Sequence, residues 1–279
     1  MRRSPPGQAE IARAKKLARD GDLAGAAEQV KAALALDASL EEAHLLAGSL
    51  AELQGDAKGA AAAYDAGLTA VPRSAALHHA RGMLSLEASN LAAAIEHLSA
   101  ADGLVKSKDA DIAADLAYAL IFANRLEDAE GHARNARALA PKKFAAAFTL
   151  GEVLLRKKAF KEAAQVFKEA ADLKPDEPVA RRKLAAALDK AGDAKSALAV
   201  YDGLLREDAK DPRVHAGRAG ALLSLGKNKE AVRAMKAAVD LAPDSRRLLE
   251  LLLHTQKQAK DKKGARKTRK RLDKMGGSR

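Results

Sequence analysis

FAAAFTLGEVLLRKKAFKEAAQVFKEAADLKPDE, running from Phe144 to Glu177, holds two helix-period segments joined by a short basic turn. Gly151 is followed twelve residues later by Ala163, and then by Ala170 and Pro175. That spacing predicts a helical hairpin whose two helices meet at small side chains and whose second helix stops at a proline.

The same pattern recurs through nearly the whole chain. Units of 34 residues run 7–40, 41–74, 75–108, 110–143, 144–177, 178–211 and 212–245, with a weaker eighth over 246–275 and one extra residue near Lys108–Asp109. The twentieth position of every unit is alanine: Ala26, Ala60, Ala94, Ala129, Ala163, Ala197, Ala231 and Ala265. Seven units keep a small eighth residue (Ala14, Gly48, Gly82, Ala117, Gly151, Ala185, Ala219), which the reading sets against that alanine, while the last carries Leu253. Turn dipeptides such as Gly21-Asp22, Gly55-Asp56, Ser89-Asn90 and Gly192-Asp193 separate the helices; the first residue supplies a left-handed stop and the second a cap. Pro72, Pro141, Pro175 and Pro243 end second helices. Residues 1–6 and 276–279 are expected to be disordered ends.

This pattern resembles the tetratricopeptide repeat, a 34-residue unit of two antiparallel helices, over roughly residues 7–275. Two departures are visible: His44, His78 and His215 stand near the fourth position where the family often has a large aromatic, and leucine at the seventh is patchy. The resemblance implies an all-α, right-handed α-solenoid built as one continuous array, each repeat burying its apolar face only against its neighbours.

Composition fits such a stack. Alanine fills 68 of 279 positions, aromatics make 3%, and tryptophan and cysteine are absent. Small side chains let helices approach closely, and alanine is the best helix former. The missing cysteines exclude disulfides, thiolate metal sites and a cysteine nucleophile. No apolar leader follows Arg2-Arg3 and no window approaches a membrane span, so a cytoplasmic protein without a transmembrane segment is expected. The alanine-rich, cysteine-free composition points to a bacterial source.

Nothing in the chain spells catalysis. His78 and His79 are adjacent, so on a helix they point about 100° apart, and the other histidines are read as scattered singly. There is no phosphate loop, no H-E-x-x-H and no paired-carboxylate motif. A non-enzymatic protein with no cofactor, no metal and no small-molecule substrate is expected.

In the family the first helix of each repeat lines a concave groove, its second, fifth, ninth and twelfth positions pointing inward. Carried onto this chain, those positions give His79, Met83, Leu86, Tyr118, Ile121, Phe148, Glu152, Leu155 and Arg182 as a partner-binding groove. The expected partner is a protein segment, peptide or helix, with acidic flanks, and the expected role is a scaffold or adaptor. The carboxylate clamp by which some family members hold chaperone tails needs Lys and Asn at the fifth and ninth positions, and no unit here has that pair.

The net charge of +12 is uneven: residues 246–279 carry 13 Lys/Arg against Glu250, Asp261 and Asp273, leaving the rest nearly neutral. Lys257, Lys260, Lys262, Lys263, Arg266, Lys267, Arg269, Lys270 and Arg271 form a basic patch. Its alternatives are a solvating cap, contact with an acidic protein or anionic membrane surface, or weak, non-specific, salt-dependent nucleic-acid binding.

Overall fold

In a computed structural model that describes residues 6–276, the described residues form sixteen α-helices and no strands. The ends expected to be disordered fall outside the described residues at 1–5 and 277–279. The helices pair as antiparallel hairpins in chain order: α1 Gln8–Arg19 with α2 Leu23–Leu36, α3 Glu41–Leu53 with α4 Ala57–Ala70, α5 Ala75–Glu87 with α6 Leu91–Leu104, and α7 Ala110–Phe122 with α8 Leu126–Leu139. These four lie in one compact unit that ends at Ala140. A second unit starts at Pro141 and holds α9 Phe144–Arg156, α10 Phe160–Leu173, α11 Pro178–Lys190, α12 Ala194–Glu207, α13 Pro212–Ser224, α14 Asn228–Leu241, α15 Arg246–Gln258 and α16 Lys262–Gly276. The all-α class of stacked helical hairpins is as the sequence implies. The division into two compact units is not foreseen by the reading of one continuous array.

The turns follow their dipeptides. Gly21, Gly55, Ser89 and Gly192 take φ of 87°, 75°, 59° and 92°. Asp22, Asp56, Asn90 and Asp193 then cap α2, α4, α6 and α12 by accepting the N–H of Gly25, Gly59, Ala93 and Ser196. Pro178 and Pro212 open α11 and α13, where the missing N–H costs nothing. The extra residue before Asp109 is absorbed by a turn with Lys106 and Ser107 both at φ 53°. The Ser107 carbonyl accepts from Asn135 Nδ2 at 2.8 Å, and its hydroxyl donates to buried Asp102 at 2.7 Å.

At the twentieth position, Ala26 through Ala231 are fully buried, and Ala265 is half-buried. The small eighth residue has a further opposite number that the sequence reading missed. A β-carbon at Gly82 would fall 2.8 Å from Leu98, and one at Gly151 would fall 2.7 Å from Phe167; Gly48 meets Tyr64 in the same way. Each partner is the twenty-fourth residue of its own unit, so glycine on the first helix receives a bulky buried side chain of the second.

Position four also has a structural purpose. His44 and His215 donate Nε2–H to the carbonyls of Ala38 and Ala209 at 2.9 and 2.8 Å, and His78 does so to Pro72 at 3.3 Å. Each ring ties its helix to the loop six residues before it, satisfying a carbonyl beyond the reach of the helix ladder.

Candidate interaction surfaces

Most polar groups at the expected groove positions are paired with the neighbouring first helix. In the first unit Lys15 pairs with Glu42, and His79 Nε2 meets Asp115 at 2.7 Å. The hydrogen bond that His79 Nε2–H donates to Asp115 raises the His79 pKa against the opposing effect of burial, with the charges of Asp115, Asp109 and Asp111 adding to it. In the second unit Glu152 pairs with Lys183 at 2.8 Å and Arg182 with Asp211 at 3.1 Å. Burial pushes Asp211 up, but hydrogen bonds from Arg213 and the charges of Arg213 and Arg182 outweigh it and hold the carboxyl low. Arg182 is therefore committed to Asp211, which removes it as a free cation for an acidic flank. The reason is register: its reach ends at the N-cap of α13.

The apolar positions divide. Met83 and Leu86 on α5 and Leu155 on α9 are half-buried. Tyr118 on α7 is 40% exposed and meets Phe122, itself 48% exposed, edge to face at 4.9 Å. Phe122 was not anticipated, although its place one helical turn after Tyr118 is the signal that could have found it. Counted from the His79–Asp115 pair, Met83 and Leu86 lie four and seven residues further along α5, and Tyr118 and Phe122 three and seven residues further along α7. Ile121 is a correction: it is 1% exposed, on the same helix face as buried Ala114 and Ala117, so it is core and not groove. Phe148 is half-buried, stacked on Phe144 at 5.4 Å and edge-on to the core ring of Phe167 at 5.7 Å. It is as much a packing residue as a contact residue.

A surface that the sequence reading did not foresee lies in the second unit, between α10 and α12. It is a groove of about 990 Å³ floored by Leu184 and Leu188 of α11, with Ala164, Ala171 and Val200 on its walls. Small side chains on the facing second helices leave the space. On its rim Lys168 pairs with Asp172 at 2.9 Å, and Arg181 grips Glu207 through two bonds of 2.6 and 2.7 Å.

The histidines are not all single. His97 Nδ1 lies 3.1 Å from His78 Nδ1; because His78 gives its Nε2–H to Pro72, His97 is the donor of this bond. Among the described residues no group of three or more His, Cys, Asp or Glu side chains could hold a metal ion, and no helix is long and apolar enough to cross a membrane. All nine cations of the basic patch, Lys257 to Arg271, are exposed on α15, α16 and the turn between them.

Solved structures share the fold. A tetratricopeptide repeat protein from Parabacteroides merdae superposes with a TM-score of 0.63 at 16% identity, covering 90% of this chain and 99% of that one. PilF of Pseudomonas aeruginosa gives 0.64 at 16%, covering 73% and 92%. YrrB, described as a tetratricopeptide repeat protein with an unusual peptide-binding site, gives 0.59 at 18%, covering 71% and 99%. No curated protein matches the sequence. Tetratricopeptide-repeat family models match residues 11–75, 114–178 and 154–220, more than half of the chain. With stacked hairpins, a buried alanine at position twenty and these matches, the chain belongs to the tetratricopeptide repeat family.

Proposed function

We propose that this chain is a non-catalytic docking scaffold that receives an apolar anchor of a partner peptide or helix on the α5–α7 surface of its first unit. The observation that carries this reading is the Tyr118–Phe122 pair. The chain has eight aromatic residues, and two of them sit side by side and exposed. Exposed paired aromatics are costly to leave in water and are the side chains that anchor interfaces. The polar groups one turn before them are paired with each other, His79 with Asp115, so the anchor is read by shape and apolar contact.

A second reading is supported by the α10–α12 groove. It is a broad trough of about 990 Å³ with the apolar Leu184 and Leu188 at its floor. That YrrB is described as peptide-binding is consistent with either surface.

Selection of a random peptide phage library on the intact chain tests the proposal. Tyr118→Ala/Phe122→Ala should weaken selected peptides at least tenfold, about 1.4 kcal/mol, while Leu184→Lys leaves them unchanged. Loss only with Leu184→Lys would move the site to the α10–α12 groove. Peptides indifferent to both changes would overturn both readings.

A further inference from the structure

Helix α16 gathers the densest run of cations in the chain. On other helices several cations are held by carboxylates: Arg81 by Asp65, Arg181 by Glu207, Arg218 by Asp202. On α16, Lys262, Lys263, Arg266, Lys267, Arg269 and Lys270 have no carboxylate within ion-pair distance among the described residues, and Arg271 reaches only the Pro243 carbonyl at 2.6 Å. Of the acids nearby, Asp261 caps the Gly264 N–H and Glu250 pairs with Arg246, which leaves exposed Asp273 as the one carboxylate on α16 itself, against eight cations from Lys262 to Lys274.

The geometry of the helix sorts its two faces. Thr268 and Leu272 are buried, and Thr268 Oγ1 donates to the buried Gln256 Oε1 of α15 at 2.8 Å. At 100° per residue the cations cover the remaining side, with Lys262, Arg266, Lys270 and Lys274 rising about 6 Å per step in a row that turns about 40° each time and Lys263 and Lys267 beside it. The apolar face is thus spent on α15. A helix that lies in a membrane needs that face free to enter the acyl region. A phosphodiester backbone needs only the cationic face. The patch carries no aromatic side chain on which unpaired bases could stack, which disfavours single strands.

We propose that α16 binds the phosphate backbone of a nucleic-acid duplex, without reading sequence. With about five phosphates neutralised, the slope of log affinity against log salt should be near −4.5, and affinity should fall roughly 500-fold between 50 and 200 mM salt. The test is fluorescence anisotropy of labelled 20-base-pair DNA and RNA duplexes with the intact chain, beside co-sedimentation with phosphatidylserine-containing vesicles. Arg266→Gln/Lys270→Gln, both on the exposed face, should reduce the slope by about 1.8 and the salt effect to roughly 40-fold. Lys31→Gln/Lys58→Gln, exposed on α2 and α4, should change neither. Equal behaviour of the DNA and RNA duplexes supports a backbone reader, and a preference for one identifies which duplex is bound. The proposal is overturned if no duplex binds at 50 mM salt, if the α16 variant binds as the parent does, or if vesicles bind where duplexes do not.

Discussion

Phe167 on α10 occupies the space that a side chain at Gly151 on α9 would fill: a methyl group there would come within 2.7 Å of its ring. Gly151→Ala gains helix propensity of about 1 kcal/mol, yet the overpacking it causes should cost about 1–3 kcal/mol. The net effect is destabilising. In a Phe167→Leu background the clash is relieved, so the same alanine should become neutral or favourable. A double-mutant cycle by urea unfolding should give a coupling of about 1 kcal/mol or more; additive effects would show that the ring does not depend on the glycine.

Tyr118 and Phe148 hold comparable groove positions in their repeats but have different surroundings. Phe148 is clasped by Phe144 and Phe167, whereas Tyr118 is 40% exposed and touches the exposed ring of Phe122. Phe148→Ala should therefore cost about 2–3 kcal/mol of stability, and Tyr118→Ala no more than about 0.5 kcal/mol. Thermal unfolding of the two variants separates them. Equal losses would contradict the assignment of one ring to packing and the other to contact.

The repeat was legible because its signals are local. The glycine-to-aspartate stops, the alanine at position twenty and the prolines depend on neighbours within one hairpin. What escaped depends on partners distant along the chain, across a hairpin or in the next one, or on which side of a helix is left uncovered. Ile121 satisfies the groove spacing yet shares a face with Ala114 and Ala117, and only packing shows that face to be closed. Arg182 reads as a free cation until Asp211 of the following hairpin is placed beside it. His97 reads as solitary because His78 lies nineteen residues away. The α10–α12 groove arises from what the walls lack, and alanine in a sequence does not say whether space beside it is filled.

Tyr201 on α12 is buried over Gly217 of the next hairpin. Burial, with the charge of Asp189 adding and that of Arg182 opposing, pushes its hydroxyl up to about 12. A raised tyrosine pKa keeps the folded state protonated, so the stability it contributes is complete below pH 10 and is lost as pH rises toward 12. Tyr201→Phe keeps the ring and removes the titration. Its alkaline unfolding midpoint should lie above that of the parent; an unchanged midpoint would show that another group governs alkaline unfolding.

His79 and His97 should bend the stability curve in opposite directions. The Asp115 hydrogen bond raises His79 above the ordinary value of 6.5, so its contribution is complete below that pH and is lost as pH rises through the folded value. Burial, and then the charges of His78 and Arg81, lower His97, so its contribution is present above 6.5 and is lost as pH falls through its folded value. Glu96 and Asp65 oppose that shift without reversing it. Urea midpoints measured from pH 5 to 8 should show His79→Gln losing less stability than the parent above pH 6.5, and His97→Gln losing less below it. A His79→Gln curve parallel to the parent on the alkaline side would mean that the α5–α7 pair does not contribute to holding this surface together.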